Sequence, residues 1–502
     1  MATVTLIRTP SVVGRYALTL NVTPPLSVAY LAGSLCSAGH EVQVVDAVGE
    51  AARATHPGYR PDILINGLGV AEIVDRVDPR SDVIGISCLF SHEWPVVREL
   101  IAALARRRPN AALILGGEHA TAAPAFSLEA APELAACALG EGEETIVELV
   151  QALTSGRALA TVAGIAFREG DRVVRTPSRP RIRSVDDIPS PRWDKTPIER
   201  YLDGGFSFGV DRGRTMPLLA TRGCPYRCTF CSSPQMWTTR YQTRQPRLVV
   251  DEIEGYVARY GAENIDFYDL TAIIHRSWIV EFCELMIARR IPVTWQLPSG
   301  TRSEALDPEV SRLLYAAGCR NVSYAPESGS ARTLQRIKKK INLDRLERSM
   351  RGAVDSGLNV KANILIGFPG ETHPDIRATL GFVLRMASLG VHDVSIWTFS
   401  PYPGSALFEE LQRAGRIGAM DDEYFASLLS YSDLAGAVSF DEHVSSAALR
   451  RYRLAGMLLF YCASYLRRPL RVARTARNIV LRRYESRVEM SLANLATRLS
   501  IG

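Results

Sequence analysis

Two hydrophobic periodicities alternate along this chain. Short apolar, β-branched runs at Val4–Arg8, Val42–Asp46, Asp82–Cys88, Ala111–Leu115 and Ala135–Leu139 read as strands. Between them, Leu26–Ser37 and Val96–Arg106 carry apolar residues at helical spacing. Apolar strands separated by helices predict an α/β fold, with a doubly wound, flavodoxin-like parallel sheet over residues 1–155. Ligands of such sheets lie at strand carboxyl ends. Those ends read Ser87-Cys88, Gly116-Gly117-Glu118-His119 and Gly140-Glu141-Gly142-Glu143. A hairpin (Val162–Phe167, Val173–Thr176) and a Pro/Arg/Asp-rich linker follow over 156–205.

The alternation then resumes with six strands: Met216–Ala220, Asn264–Tyr268, Val293–Leu297, Asn321–Ala325, Val360–Ile366 and Val394–Phe399. Each of the first five precedes a helical stretch, which predicts a partial, TIM-like (β/α)6 barrel over 206–420. Polar and glycine motifs gather at the strand C-termini, where barrel chemistry sits. Cysteines follow the first strand, Asp269 the second, Ser299 and Arg302 the third, and Glu327-Ser328-Gly329 the fourth. Gly367-Phe368-Pro369-Gly370-Glu371-Thr372 and Pro401-Tyr402-Pro403-Gly404 follow the last two.

Composition changes this picture only slightly. The 502 residues are 47% hydrophobic, enough for large buried cores. The start lacks the pattern of a secretory signal, and the longest apolar run, Met457–Leu466, is too short to span a bilayer. The nine cysteines do not resemble a secreted disulfide framework, so the expected location is the cytoplasm. Charge is uneven. Residues 450–502 hold twelve arginines against Glu485 and Glu489, so of the chain's net +6 the tail carries +10 and the rest −4. A helical, basic C-terminal region over 421–502 is expected.

The densest chemistry is Cys224-Pro225-Tyr226-Arg227-Cys228-Thr229-Phe230-Cys231. Three thiolates are one short of a closed zinc site, which usually pairs two C-x2-C knuckles; no second knuckle follows. An iron–sulfur cluster on three thiolates leaves one iron open. The spacing C-x3-C-x2-C, with Phe230 before the last cysteine, resembles the radical S-adenosylmethionine family. The resemblance implies a [4Fe-4S] cluster on Cys224, Cys228 and Cys231, with S-adenosylmethionine chelating the open iron and yielding a 5′-deoxyadenosyl radical. It places Phe230 beside the adenine, Glu327 at the ribose or amino group, and Gly367 of "GFPGET" near the adenine. The family's second-strand Gly-Gly-Glu is absent; "FYDLTAI" stands there and offers Asp269, with Ser299 and Arg302 as further cofactor contacts.

"PPLSVAYLAGSL…GHEVQVVDA", "GISCL", "GGEHAT" and "GEGEET" resemble the cobalamin-binding domain fused ahead of many such enzymes. That implies cobalamin contacts at Ser87, Gly116, Gly117, Gly140, Glu141 and Gly142. The D-x-H-x-x-G motif for an axial histidine does not occur; His92 and His119 lie near ligand-side loops without that spacing, and His40 terminates a turn.

Both cofactors together imply methylation of an unactivated carbon on a small-molecule or lipid substrate, with a flavodoxin or ferredoxin as electron donor. The alternative within the same architecture is a cyclase or rearrangement without methyl transfer, like the anaerobic magnesium-protoporphyrin ester cyclase. A cobalamin sensor would not need the cysteine triplet. An RNA-modifying enzyme would leave aromatic and basic residues interleaved, a pattern not seen here, so nucleic acid is not expected as a partner. In the tail, Arg471, Arg474, Asn478 and Arg482 fall on one helical face and Leu470, Ala473 and Val480 on an adjoining one. Two placements follow: the apolar side packs on the barrel, or the basic amphipathic helix lies on the anionic inner face of a membrane.

Overall fold

The computed structural model describes residues 1–17, 22–302 and 305–493; the last nine residues assigned to the helical tail lie outside these. The chain forms two compact units, one of residues 1–201, 229–240 and 400–429, the other of 202–228, 241–399 and 430–502.

The first unit is built on a seven-stranded sheet. Its five parallel strands are Thr3–Arg8, Glu41–Asp46, Val83–Ser87, Ala112–Gly116 and Leu134–Ala138. In space they run second-first-third-fourth-fifth, the flavodoxin-like order. The core gathers Val4, Leu6, Ala32, Leu35, Ile114, Ile146 and Leu149, from the sheet and the helices Leu26–Ser37 and Glu143–Ser155. The hairpin Ile165–Glu169 and Arg172–Arg175 extends this sheet, pairing antiparallel with Leu134–Ala138. A small antiparallel sheet of Ser11–Gly14, Ile63–Asn66 and Thr55–Pro57 lies beside it. Those strands are too short to show a period.

The second unit holds six parallel strands in chain order: Thr215–Leu218, Asn264–Phe267, Thr294–Thr301, Cys319–Glu327, Asn359–Ile366 and Asp393–Thr398. The helices Pro246–Tyr260, Arg276–Arg289, Pro308–Ala316, Leu343–Asp355 and His373–Leu389 connect them. Buried and half-buried positions alternate along Asn359–Ile366, as a strand between two differently filled faces requires. Among the described residues the first and last of these strands are not paired with each other.

The C-terminal helices correct one expectation. Ser446–Arg467 packs on His373–Leu389 and on the sixth strand through Gly456, whose backbone meets Leu380 and Ile396. Leu470–Leu481 turns Arg471 and Asn478 inward. Arg471 is buried and donates to the carbonyls of Val391 and Gly390 (3.0 and 2.9 Å) and to Ser464 (2.6 Å). Asn478 donates to Glu489 at 3.1 Å, and Arg474 pairs with Glu485 at 3.4 Å. The placement with the apolar side on the barrel does not hold: Leu470 and Val480 face solvent, and Arg471 and Asn478 face inward, while Arg482 stays exposed. The physical reason is that the guanidinium satisfies strand-end carbonyls that no leucine could.

Candidate active site

The first barrel strand ends at Leu218, and Thr221–Arg222 pairs with Gln242–Thr243 before the cysteines begin. Gly223, at φ +86°, makes the turn into Cys224. Cys224, Cys228 and Cys231 are half-buried on this one loop, none of them in a disulfide. Among the described residues, no three His, Cys, Asp or Glu side chains converge on a single metal-ion position. Three thiols closely spaced on one loop are the donor set of an iron–sulfur cluster with one open iron.

Burial raises the Cys228 thiol, while the Lys339 and Arg302 cations beside it act in the opposite direction. Arg302 is buried, not a solvated charge. Its guanidinium lies 3.7 Å from the ring centroid of Tyr226, inside the cysteine loop, and donates to the Lys340 carbonyl. Glu327 ends the fourth strand at φ +66°, a left-handed conformation unfavourable for a residue with Cβ. Its carboxylate meets Lys339 at 2.9 Å, both side chains buried. The sequence reading missed Lys339 because Lys338-Lys339-Lys340 looks like an ordinary charge run. Tyr226 was likewise unmarked.

Asp269 is buried and its carboxylate accepts from Thr221 Oγ1 (2.5 Å) and the Ala220 amide (3.3 Å). Burial pushes its carboxyl up to about 6. It therefore braces the strand end from which the cysteine loop departs. Ser299 lies within the third strand, next to Gly300, whose carbonyl accepts from Thr271 at 3.3 Å. Gly367 adopts φ +87°, and Glu371 closes its loop by accepting from the Gly367 and Phe368 amides at 2.6 and 3.3 Å. Phe230, half-buried, sits in the segment of the motif that belongs to the first unit.

In the first unit the glycine loops come together at the strand carboxyl ends. Gly117, at φ +108°, lies so close to Cys88 that an added Cβ would stand 2.4 Å from its carbonyl oxygen. Gly116, by contrast, faces open space. Gly140 donates to Thr121 Oγ1 at 3.0 Å, and Ser87 offers its carbonyl to Thr9 at 2.9 Å. Gly142 precedes the helix Glu143–Ser155, and Glu141 is held by Arg181 at 2.8 Å and by the Ile182 amide at 2.9 Å. No atom lies within 4 Å of a Cβ placed at Gly116, whereas Glu141 ties its loop to the following linker.

The segment after Cys231 docks onto these loops. Ser232 hydrogen-bonds Glu118, and Thr121 donates to Met236 Sδ at 3.4 Å. His119 bonds Ser91 at 2.9 Å and His92 bonds Tyr402 at 2.9 Å; burial holds both imidazoles down to about 3, hence neutral. His40 accepts from the Ala2 amide at 3.3 Å.

Comparison with known proteins agrees with both halves. The B12 binding domain family matches residues 16–150, and the radical SAM superfamily residues 218–383. An uncharacterised methyltransferase of Pyrococcus horikoshii is 30% identical over 77% of this chain and 78% of its own. The anaerobic magnesium-protoporphyrin IX monomethyl ester cyclase of Rubrivivax gelatinosus is 30% identical over 77% of this chain and 66% of its own. The fold resembles the radical S-adenosylmethionine methyltransferase TsrM of Kitasatospora setae, solved with cobalamin and a [4Fe-4S] cluster: TM-score 0.63, 19% identity, 83% of this chain and 76% of that one. The paired domains imply a [4Fe-4S] cluster, S-adenosylmethionine and cobalamin as cofactors. The chain belongs to the cobalamin-dependent radical SAM enzymes, in which a cobalamin-binding domain is fused to a radical SAM domain.

Proposed function

We propose that this enzyme is a radical SAM methyltransferase that places a methyl group on an unactivated carbon of a small molecule. The observation that carries the reading is the docking of Ser232 and Met236, just after the third cysteine, on Glu118 and Thr121 of the cobalamin-side loops. One compact unit thus supports both the third cluster ligand and the cobalamin seat, as a reaction needing both cofactors requires.

When bound, the cluster and S-adenosylmethionine supply radical chemistry and cobalamin supplies the methyl group. In this reading Cys224, Cys228 and Cys231 hold the cluster. Lys339 and Arg302 offset negative charge beside Cys228, and Glu327 and the Gly367 loop orient S-adenosylmethionine. Asp269 keeps the cysteine loop on its strand. Gly116 leaves room for cobalamin, and Gly117, Gly140 and Gly142 shape the loops around it. Phe230 covers the adenine, and Ser299 lines the same strand ends.

A flavodoxin or ferredoxin donates the electrons. The substrate is small, and a hydrophobic or lipid molecule is the finer reading, with the enzyme working at the inner face of a membrane; the exposed apolar side of the tail supports this. The kinship to the protoporphyrin cyclases supports a second reading, ring closure without methyl transfer. Product stoichiometry separates the two. Methyl transfer forms one S-adenosylhomocysteine and one 5′-deoxyadenosine per product, and the product gains the methyl mass. Ring closure forms 5′-deoxyadenosine without S-adenosylhomocysteine, and that outcome would reject the methyltransferase.

A further inference from the structure

The outward face of the C-terminal helices is apolar. On Ser446–Arg467 the exposed positions include Leu454, Leu458 and Leu459, and the series ends at Leu466; on Leu470–Leu481 they include Leu470, Val472, Val480 and Leu481. Leu458, Leu466, Leu470 and Val480 are 65%, 83%, 85% and 80% exposed. Single exposed leucines are ordinary, but a run of them along two consecutive helices is not. On the inward face of the first helix sit Arg453, Gly456, Phe460 and Ser464, all buried.

Charge identifies the occupant. Within residues 446–483 the exposed ionic side chains are Arg450, Arg451, Arg467, Arg477, Arg482 and Arg483. The acids of the same region, Glu485 and Glu489, are not exposed and are engaged by Arg474 and Asn478. A second copy would set arginine against arginine, so self-association through this face is opposed. An anionic lipid surface meets both features. Leucines enter the acyl boundary while the long arginine stems reach the headgroups. No described helix is long and apolar enough to cross a membrane, so the contact lies in the interface plane.

We propose that the outward leucine face of residues 446–481, rimmed by exposed arginines, seats the enzyme on an anionic membrane surface. This deepens the membrane placement proposed above by naming the contacting residues. It does not depend on the reaction catalysed.

The test is flotation of the full-length, cluster-loaded protein with phosphatidylcholine vesicles containing or lacking phosphatidylglycerol. Binding is expected to the anionic vesicles only, weakening as salt shortens the Debye length. The variant Leu458→Gln/Leu466→Gln/Leu470→Gln/Val480→Gln is expected to bind about tenfold or more weakly, because its apolar insertion is lost. Arg477→Gln/Arg482→Gln/Arg483→Gln is expected to lose about fivefold per arginine. Unchanged iron content and melting midpoint show that both variants are folded. The proposal is overturned if folded wild-type protein does not float at low salt. It is also overturned if the leucine variant binds like wild type. A dimer in free solution that the leucine variant dissolves would assign the face to a protein partner, overturning it too. None of these failures touches S-adenosylmethionine cleavage, which is assayed separately.

Discussion

Glu327 and Lys339 form a buried ion pair at 2.9 Å beside the Cys228 thiol, with Glu327 held at φ +66°. A strained backbone at the end of a barrel strand persists only where surrounding contacts enforce it. Removing one partner of a buried pair leaves the other uncompensated. Lys339→Met is expected to lower stability by about 3 kcal/mol. It should also weaken S-adenosylmethionine binding about tenfold or more, through loss of charge-assisted contacts. Equilibrium dialysis with S-adenosylmethionine, alongside a denaturation midpoint, reads both effects. Unchanged values in both would remove Lys339 from the site.

The two adjacent glycines at the fourth strand of the first unit should respond differently. Gly116→Leu enters open space and should block cobalamin uptake while leaving the melting midpoint unchanged. Gly117→Leu meets the Cys88 carbonyl from a left-handed backbone and should destabilise the unit by about 2 kcal/mol or more, whatever is bound. Cobalamin absorbance after reconstitution, measured with thermal unfolding, distinguishes them.

Glu93 is buried, and desolvation pushes its carboxyl up to about 8, far above the ordinary carboxylate range near 4.5. The folded state therefore prefers the neutral acid. Its contribution to stability is complete below about 4.5 and is lost as pH rises to about 8. Urea midpoints of wild type and Glu93→Gln, measured across this range, should differ by an amount that changes steadily and levels off above pH 8. A constant difference would mean that Glu93 is already ionised in the fold.

Arg471 donates to two strand-end carbonyls and to Ser464. Arg471→Leu is expected to cost about 3 kcal/mol, since it leaves buried acceptors unsatisfied. The fall should appear in thermal unfolding, with vesicle binding of the folded protein unchanged. A neutral effect on stability would contradict the inward orientation of this helix.

The sequence showed the parallel strands of both sheets to within a few residues, because β-branched runs between helices are a strong signal. Leu26–Ser37 was read with its observed ends. The tail was legible as helix but not in orientation. Periodicity separates Arg471 and Asn478 from Leu470 and Val480, yet only the carbonyls of Gly390 and Val391 decide which side faces in. Lys339 was illegible for a similar reason, since its partner Glu327 lies twelve residues away across a turn and a short helix. Asp269 was visible as a strand-end carboxylate, but its engagement with Thr221 depends on pairing between neighbouring strands.

The central claim is that two cofactors do separate work on one chain, and the two products of S-adenosylmethionine test it most directly. Anaerobically reconstituted protein is given S-adenosylmethionine and a low-potential reductant, with and without hydroxocobalamin. 5′-Deoxyadenosine should form in both cases and vanish in Cys228→Ala, which underligates the cluster. S-adenosylhomocysteine should appear only with cobalamin, and should vanish in Gly116→Leu while 5′-deoxyadenosine persists. Zinc in place of iron, or S-adenosylhomocysteine formed without cobalamin, would contradict the account.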